Sequence, residues 1–204
     1  MSVTLLTGLG EVVTNFLLND FSVYVMNTSA TGNYSGDDWA LLGYTSAEKT
    51  INPINEKYVR EDKIPRVPTY TKTIRVGLEV GCDLSNQNPD IEALIKQGTK
   101  SAVTGTNTGT RIAYGTDQAP VEYRAVRFVA KLDDGKNYSL TIPKCEISQS
   151  GEKTGGGETE TVTPLMFKAY YNAQAGISAT ANLYYENYFN SGVSPTAEVP
   201  SGYN

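Results

Sequence analysis

The stretch Thr73-Ile74-Arg75-Val76-Gly77-Leu78-Glu79-Val80-Gly81-Cys82-Asp83-Leu84 carries an apolar residue at every even position and a polar residue or glycine at every odd one. Successive side chains of a strand point to opposite faces, so a sustained period of two predicts a long, half-buried β-strand and excludes a helix here. Its even face belongs in a core. Its odd face, with Arg75, Glu79 and Asp83, must meet water, a partner subunit or a channel.

A second stretch, Val121 to Leu132, repeats the pattern less strictly, with Val126, Phe128, Ala130 and Leu132 on one side and Arg127 and Lys131 on the other. Asp133-Asp134-Gly135-Lys136 follows. Asp favours the start of a turn and Gly accepts positive φ, so Asn137 to Ser148 reads as the returning arm of a hairpin. Pro143 cannot donate to a ladder and marks that arm as an edge strand or a bulged one. Further strands are expected at Phe21 to Met26, Trp39 to Thr45, Thr161 to Tyr171 and Ala179 to Asn187, each rich in aromatic or β-branched residues.

One helix is expected, Pro89 to Gln97, with Asn88 as N-cap, proline in the first turn and Gly98 as the stop. Its apolar stripe, Ile91, Leu94 and Ile95, is too short for a helical bundle and suits packing on a sheet. Thr50 to Pro68 is charged and punctuated by Pro53, Pro65 and Pro68, which reads as a long loop or interaction arm. Ser150 to Glu160, with three consecutive glycines, reads as a hairpin tip, and Asn190 to Asn204 as a flexible tail. The expectation is one mainly antiparallel β domain over residues 1–189, with an arm at 50–68 and a tail at 190–204. Fourteen tyrosines and nineteen glycines suit such a strand-and-turn protein.

The same residues narrow the chemistry. The chain has no histidine, which removes Ser-His-Asp and Cys-His catalysis and the His-bearing zinc motifs. Asp37-Asp38, Glu61-Asp62 and Asp133-Asp134 are carboxylate pairs, but each sits in turn-like or loop-like sequence where solvated acids belong. Gly155-Gly156-Gly157 runs into Glu158 and lacks the Lys of a phosphate loop, and no Asp-rich calcium loop is present. No catalytic residue, metal site or cofactor is expected, and the chain is not expected to be an enzyme. A net charge of −5 argues against a basic nucleic-acid grip. Cys82 and Cys145 lie in strand-like runs and read as small buried hydrophobes. The first ten residues lack a basic leader region, so a cytosolic protein is expected. Tyr170, Tyr171, Tyr184, Tyr185, Tyr188 and Phe189 form an aromatic cluster that suits a core, a subunit interface or a sugar-stacking platform.

Asp38-Trp39-Ala40-Leu41-Leu42-Gly43-Tyr44-Thr45 resembles the tryptophan, aliphatic pair, Gly-Tyr-Thr segment of major tail proteins of long-tailed, siphovirus-type bacteriophages. The long arm to Pro68, the alternating strand to Leu84, the helix from Asn88, the strands around Asp133 and a strand near Pro164 to Ala169 follow in an order similar to tail tube subunits, over roughly residues 1–187. The resemblance implies an antiparallel β-sandwich or partial barrel with one flanking α-helix, closing into hexameric rings that stack into a tube for DNA. By the same resemblance Glu79 and Asp83 would face the lumen, Arg75, Arg124 and Arg127 would make subunit contacts, and an arm with Ile51, Ile54, Tyr58, Val59 and Ile64 would bridge rings. The implied partners are other copies of the chain, the tape measure, tail tip and terminator proteins, and double-stranded DNA in transit. The implied location is the virion tail, assembled in the host bacterial cytoplasm. A carbohydrate-binding β-sandwich, a tail adaptor or terminator ring, and a capsid-decorating protein are the rival readings.

Overall fold

A computed structural model describes residues 21–26, 39–61, 68–85, 89–96, 98–104, 108–115, 123–132, 136–152, 154–156, 159–172 and 182–189. Its elements in chain order are β1 (Ser22–Met26), β2 (Trp39–Glu61), β3 (Pro68–Ser85), α1 (Pro89–Ile95), β4 (Thr99–Val103), β5 (Gly109–Ala113), β6 (Arg124–Lys131), β7 (Asn137–Gln149), β8 (Thr154–Gly156), β9 (Thr159–Ala169) and β10 (Tyr185–Phe189).

The main sheet runs β10-β7-β6-β1-β2-β3-β9-β8, and a further pairing of β7 with β9 closes it into a barrel. The closed circuit is six antiparallel strands, β1-β2-β3-β9-β7-β6. Closure depends on β7, which pairs through Asn137–Thr141 with β10 and through Cys145–Gln149 with β9 on the same edge. The register against β6 passes from Val126↔Ile142 to Arg124↔Cys145, skipping Pro143 and Lys144. The sequence expectation at Pro143 thus resolves as a bulge, and it lies where β7 changes partner.

The alternating sequence fills the barrel. Leu78, Val80, Cys82 and Leu84 of β3 meet Val126, Phe128 and Ala130 of β6, with Val23, Leu140, Ile142, Cys145, Leu165 and Phe167 completing a single cluster. Phe128 sits at its centre, edge-on to Phe21 at 6.0 Å and to Phe167 at 5.0 Å between ring centroids. Each fully buried large apolar side chain contributes about 1.5–3 kcal/mol of transfer free energy. The turn after β6 closes with Leu132 N–H donating to the Lys136 carbonyl at 2.8 Å, as the Asp-Asp-Gly-Lys signal requires.

α1 is shorter than expected, ending at Ile95, and it packs at the end of the barrel where Leu42, Leu84, Thr163 and Leu165 would otherwise be open. Ile95 joins the core and Leu94 packs against it. Gly98 N–H reaches back to the Ala93 carbonyl at 2.9 Å, a Schellman-type stop, and Glu92 pairs with Lys96 at 3.0 Å one turn apart. Glycine is required at 98, because a Cβ there would stand 2.6 Å from both Ile112 and Tyr114 of the neighbouring hairpin. That small exposed hairpin, β4 with β5, was not anticipated: Thr99 to Ala113 is short of large apolar residues and shows no period.

The largest departure from the sequence reading concerns Thr50 to Pro68. It is not a loop up to Glu61: β2 continues unbroken to Glu61 and pairs with β3 from Tyr44↔Ser85 out to Glu61↔Pro68. Prolines suggested a loop because a central strand cannot hold them, but this part of β2 has β3 on one side only, where a proline is tolerated. Ile64 and residues 62–67 lie outside the described residues, as do Asn190 to Asn204. Thr161 to Tyr171 corresponds to β9, and of Ala179 to Asn187 the described strand is β10, beginning at Tyr185.

Candidate functional site

β1 accompanies β2 only as far as Tyr44, and β9 accompanies β3 only from Leu84 to Glu79. Beyond those points the two strands leave the barrel as a two-stranded ribbon. Its β3 side, Pro68–Leu78, is eleven residues, which spans about 35 Å at roughly 3.3 Å per residue. Among the described residues neither outer edge of this ribbon has a strand partner.

The ribbon carries the core pattern out into solvent. Pairing puts Pro53 opposite Leu78, Asn55 opposite Val76 and Val59 opposite Thr71, all on the side continuous with the barrel interior. Leu78 is still buried, but Val76 is 57% exposed and Val59 45% exposed. The even face of Thr73 to Leu84 is therefore core only from Leu78 onward, because no strand closes over it earlier. On the opposite side Ile54 lies over Gly77, Glu56 pairs with Arg75 at 3.0 Å, and Tyr58 stands opposite Lys72. Of the expected arm residues, Ile51 packs against the core at the base, Ile54 is half-buried, and Tyr58 and Val59 are exposed.

Where β9 ends, the chain turns away from β3. Tyr170 N–H donates to the Lys144 carbonyl at 2.8 Å and Asn172 N–H to the Asn182 carbonyl at 2.9 Å. A groove of about 220 Å³ is left beside the free edge of β3, walled by Ile54, Val76, Tyr170, Tyr171 and Leu183 with Gly77 among its lining. The polar rim comes from the barrel's outer face. Glu79 and Glu146 flank Lys168 in the sheet register, Lys168 Nζ stands 4.0 Å from Glu79, and the Tyr170 hydroxyl donates to Glu146 at 2.5 Å. That hydrogen bond, followed by desolvation, pushes the Tyr170 phenol up to about 12. Tyr170 also meets Tyr123 edge-on at 5.0 Å, and Lys144 sits 4.7 Å from the Tyr123 ring.

The structure separates the three arginines expected at subunit contacts. Arg75 is exposed on the ribbon and paired with Glu56. Arg124 is half-buried and donates to the Met26 carbonyl at 2.9 Å, tying the start of β6 to the end of β1. Arg127 is the correction: it is wholly buried, its guanidinium 4.6 Å from the Trp39 ring and its Nε donating to Thr141 Oγ1 at 2.9 Å. It shows no surface to a partner. The barrel's outer face is covered here, with Met26, Ser139 and Thr141 fully buried too, so alternation marked the face correctly but not its exposure. Glu79 and Asp83 both point outward from the barrel and are half-buried, Glu79 beside Lys168 and Asp83 opposite Pro164.

The aromatic cluster does not form one platform. Tyr170 and Tyr171 belong to the groove, Tyr184 packs against the core, and Tyr188 of β10 leans on Tyr138 at 5.3 Å. Sequence reasoning missed Lys168, Glu146 and Leu183 as groove neighbours. Only the register between β7, β9 and β3 brings the first two together, and no local pattern encodes it. Cys82 and Cys145 are free and buried, and burial pushes the Cys82 thiol up to about 12 and Cys145 further. Among the described residues no cluster of acids and cysteines could hold a metal ion, and no helix is long and apolar enough to cross a membrane. No protein-family model matches the chain, and no curated protein matches it.

Proposed function

We propose that the chain is a structural subunit of a siphovirus-type phage tail tube, a non-enzymatic protein that assembles into stacked hexameric rings through which DNA passes during ejection. The observation that carries the reading is the ribbon. A monomer that ends its folding with a 35 Å two-stranded projection, about that long at roughly 3.3 Å per residue, exposes unpaired edges and Val59, Val76 and Tyr58 to water. Natural sheets blunt such edges or use them, because a free edge templates pairing with another chain. Association between copies is the use that removes the hazard, and a heterologous contact repeated by rotation gives a ring.

Other features agree with that use. A closed barrel gives each copy a rigid body whose core does not depend on the neighbour, while the ribbon reaches beyond it. The net charge of −5 suits a conduit that must not hold phosphate, since each favourable contact would slow DNA passage. The partners in this reading are other copies, the tape measure, tail tip and terminator proteins, and the location is the virion tail. An adaptor ring, a terminator or a capsid-decorating protein would share the ribbon and differ in what it joins.

Negative-stain electron microscopy of the untagged protein over a concentration series tests the proposal. Rings or hollow tubes with a regular axial repeat are expected. Particles that remain single at every concentration, including with a tail-tip nucleus added, would sink it and return attention to glycan binding at Tyr170 and Tyr171.

A further inference from the structure

We infer that the two edges of the ribbon are not equivalent, and that the β3 edge, from Thr71 to Gly77 with the groove beside it, receives an exposed strand of a second copy of this chain. The inference rests on the assembly reading above and adds which edge is used and how the incoming strand is seated.

Three observations favour β3. First, β9 has already shown how that edge is used: it pairs with β3 from Leu84 to Glu79 and then stops, leaving the ladder unfinished along the same line. An incoming strand laid along that line continues the sheet. Second, the space such a strand needs is present. The groove of about 220 Å³ lies beside the edge, lined by Val76 and Gly77 of β3 and by Tyr171 and Leu183 across from it. Tyr171 is 64% exposed, a large ring held at a rim with nothing packed on its outer side among the described residues. Third, the chemistry of the two edges differs. From Thr71 to Gly77 the β3 edge has no proline and carries threonines, Ile74 and Val76, residues that favour strands. On β2 the facing span, Ile54 to Val59, carries Asn55, Glu56 and Lys57 in succession, residues depleted in strands.

The occupant is a second copy because the chain itself carries a strand of the required kind: β10 pairs with β7 and its other edge has no strand partner among the described residues. Backbone hydrogen bonds would supply the affinity, and the groove would supply selectivity through one side chain set between Tyr171 and Ile54, as in other cases of strand addition. Use of one edge only makes the contact directional, which is what a ring or a tube requires and a two-fold dimer does not.

Hydrogen–deuterium exchange on the full-length protein, dilute and assembled, tests this. In the assembled state the amides of Thr71 to Gly77 that point away from β2 are expected to slow by at least about tenfold, while Asn52 to Val59 keep their exchange rates. Tyr171→Ala, which truncates an exposed ring and leaves the barrel intact, is expected to raise the concentration needed for assembly by about tenfold. Protection on the β2 edge, equal protection on both edges, or a Tyr171→Ala protein that assembles like the parent would overturn the edge assignment and leave assembly standing. A parent protein that stays monomeric overturns both.

Discussion

Replacing Arg127 distinguishes a surface arginine from a structural one. In the sequence pattern Arg127 stands on the polar side of β6, where truncation to alanine would change folding by no more than a few tenths of a kcal/mol. In the fold it is 0% exposed, donates to Thr141 at 2.9 Å and lies 4.6 Å from the Trp39 ring. A hydrogen bond from a charged donor is worth about 1.5–3 kcal/mol, and a desolvated cation–π contact about 2 kcal/mol. Arg127→Ala removes both and leaves an unfilled volume, so a loss of about 4 kcal/mol is expected. Total stabilities run about 5–15 kcal/mol, and 1 kcal/mol shifts Tm by about 2–4 °C at this size, so Tm should fall by roughly 10 °C. Arg127→Met keeps the stem and should cost about half as much. Pairing it with Thr141→Val, which removes the stranded hydroxyl, should recover part of that loss. Urea titration and thermal melts followed by circular dichroism read all three, at a concentration where the parent is dispersed. Arg127→Ala within 1 kcal/mol of the parent would refute the buried assignment.

Other substitutions sample the rest of the molecule. Phe128→Ala should cost about 3–5 kcal/mol in urea titration, because its ring packs edge-on against Phe21 and Phe167 at the barrel centre, and a loss under about 1 kcal/mol would contradict that packing. Arg75→Ala, which breaks the exposed ribbon pair with Glu56, should cost less than about 1 kcal/mol in urea titration, and a larger loss would mean that the ribbon belongs to the folding unit. Cys82 and Cys145 should resist a thiol reagent at pH 8 in the native protein and react once it is unfolded, since burial holds both as neutral thiols. The raised Cys82 and Tyr170 values also fix a pH dependence. The native state keeps protons that the unfolded chain releases above about pH 9 and pH 10 respectively, so stability should decline from there toward pH 12, and alkaline melts that stay flat over that window would contradict it.

How much of this was legible in the sequence depends on what each feature needs to be seen. Strict alternation located β3, and Val126, Phe128 and Ala130 fell on the expected face of β6, because one-sided burial writes itself into every second residue. The Asp-Asp-Gly-Lys turn and the Pro89 helix with its Gly98 stop were readable because caps and turns are local chemistry. Closure was not readable. It depends on Cys145–Gln149 meeting Leu165–Ala169, a pairing set by register and by the bulge at Pro143, and the sequence expectation therefore stopped at a sandwich or partial barrel. The ribbon was hidden by Pro53 and by its charges, which mark a strand edge as readily as a loop. Arg127 was misplaced because alternation reports which side of a sheet a residue occupies and says nothing of whether that side is covered. The groove combines the end of β9 with the continuation of β3, and no single segment contains it.

Sedimentation velocity of the full-length chain beside a variant in which residues 55–76 are replaced by a two-residue Asn-Gly turn, leaving the Ile54–Gly77 pair to flank it, tests the central claim most directly. Asn55 to Val59, Thr71 to Thr73, Arg75 and Val76 are exposed there and outside the barrel core, so the variant should melt like the parent. The account predicts that the 22.1 kDa parent chain sediments as rings of about six copies and larger stacks at high concentration, while the folded variant stays a monomer. A parent that remains monomeric, or a ribbonless variant that assembles as the parent does, would contradict it.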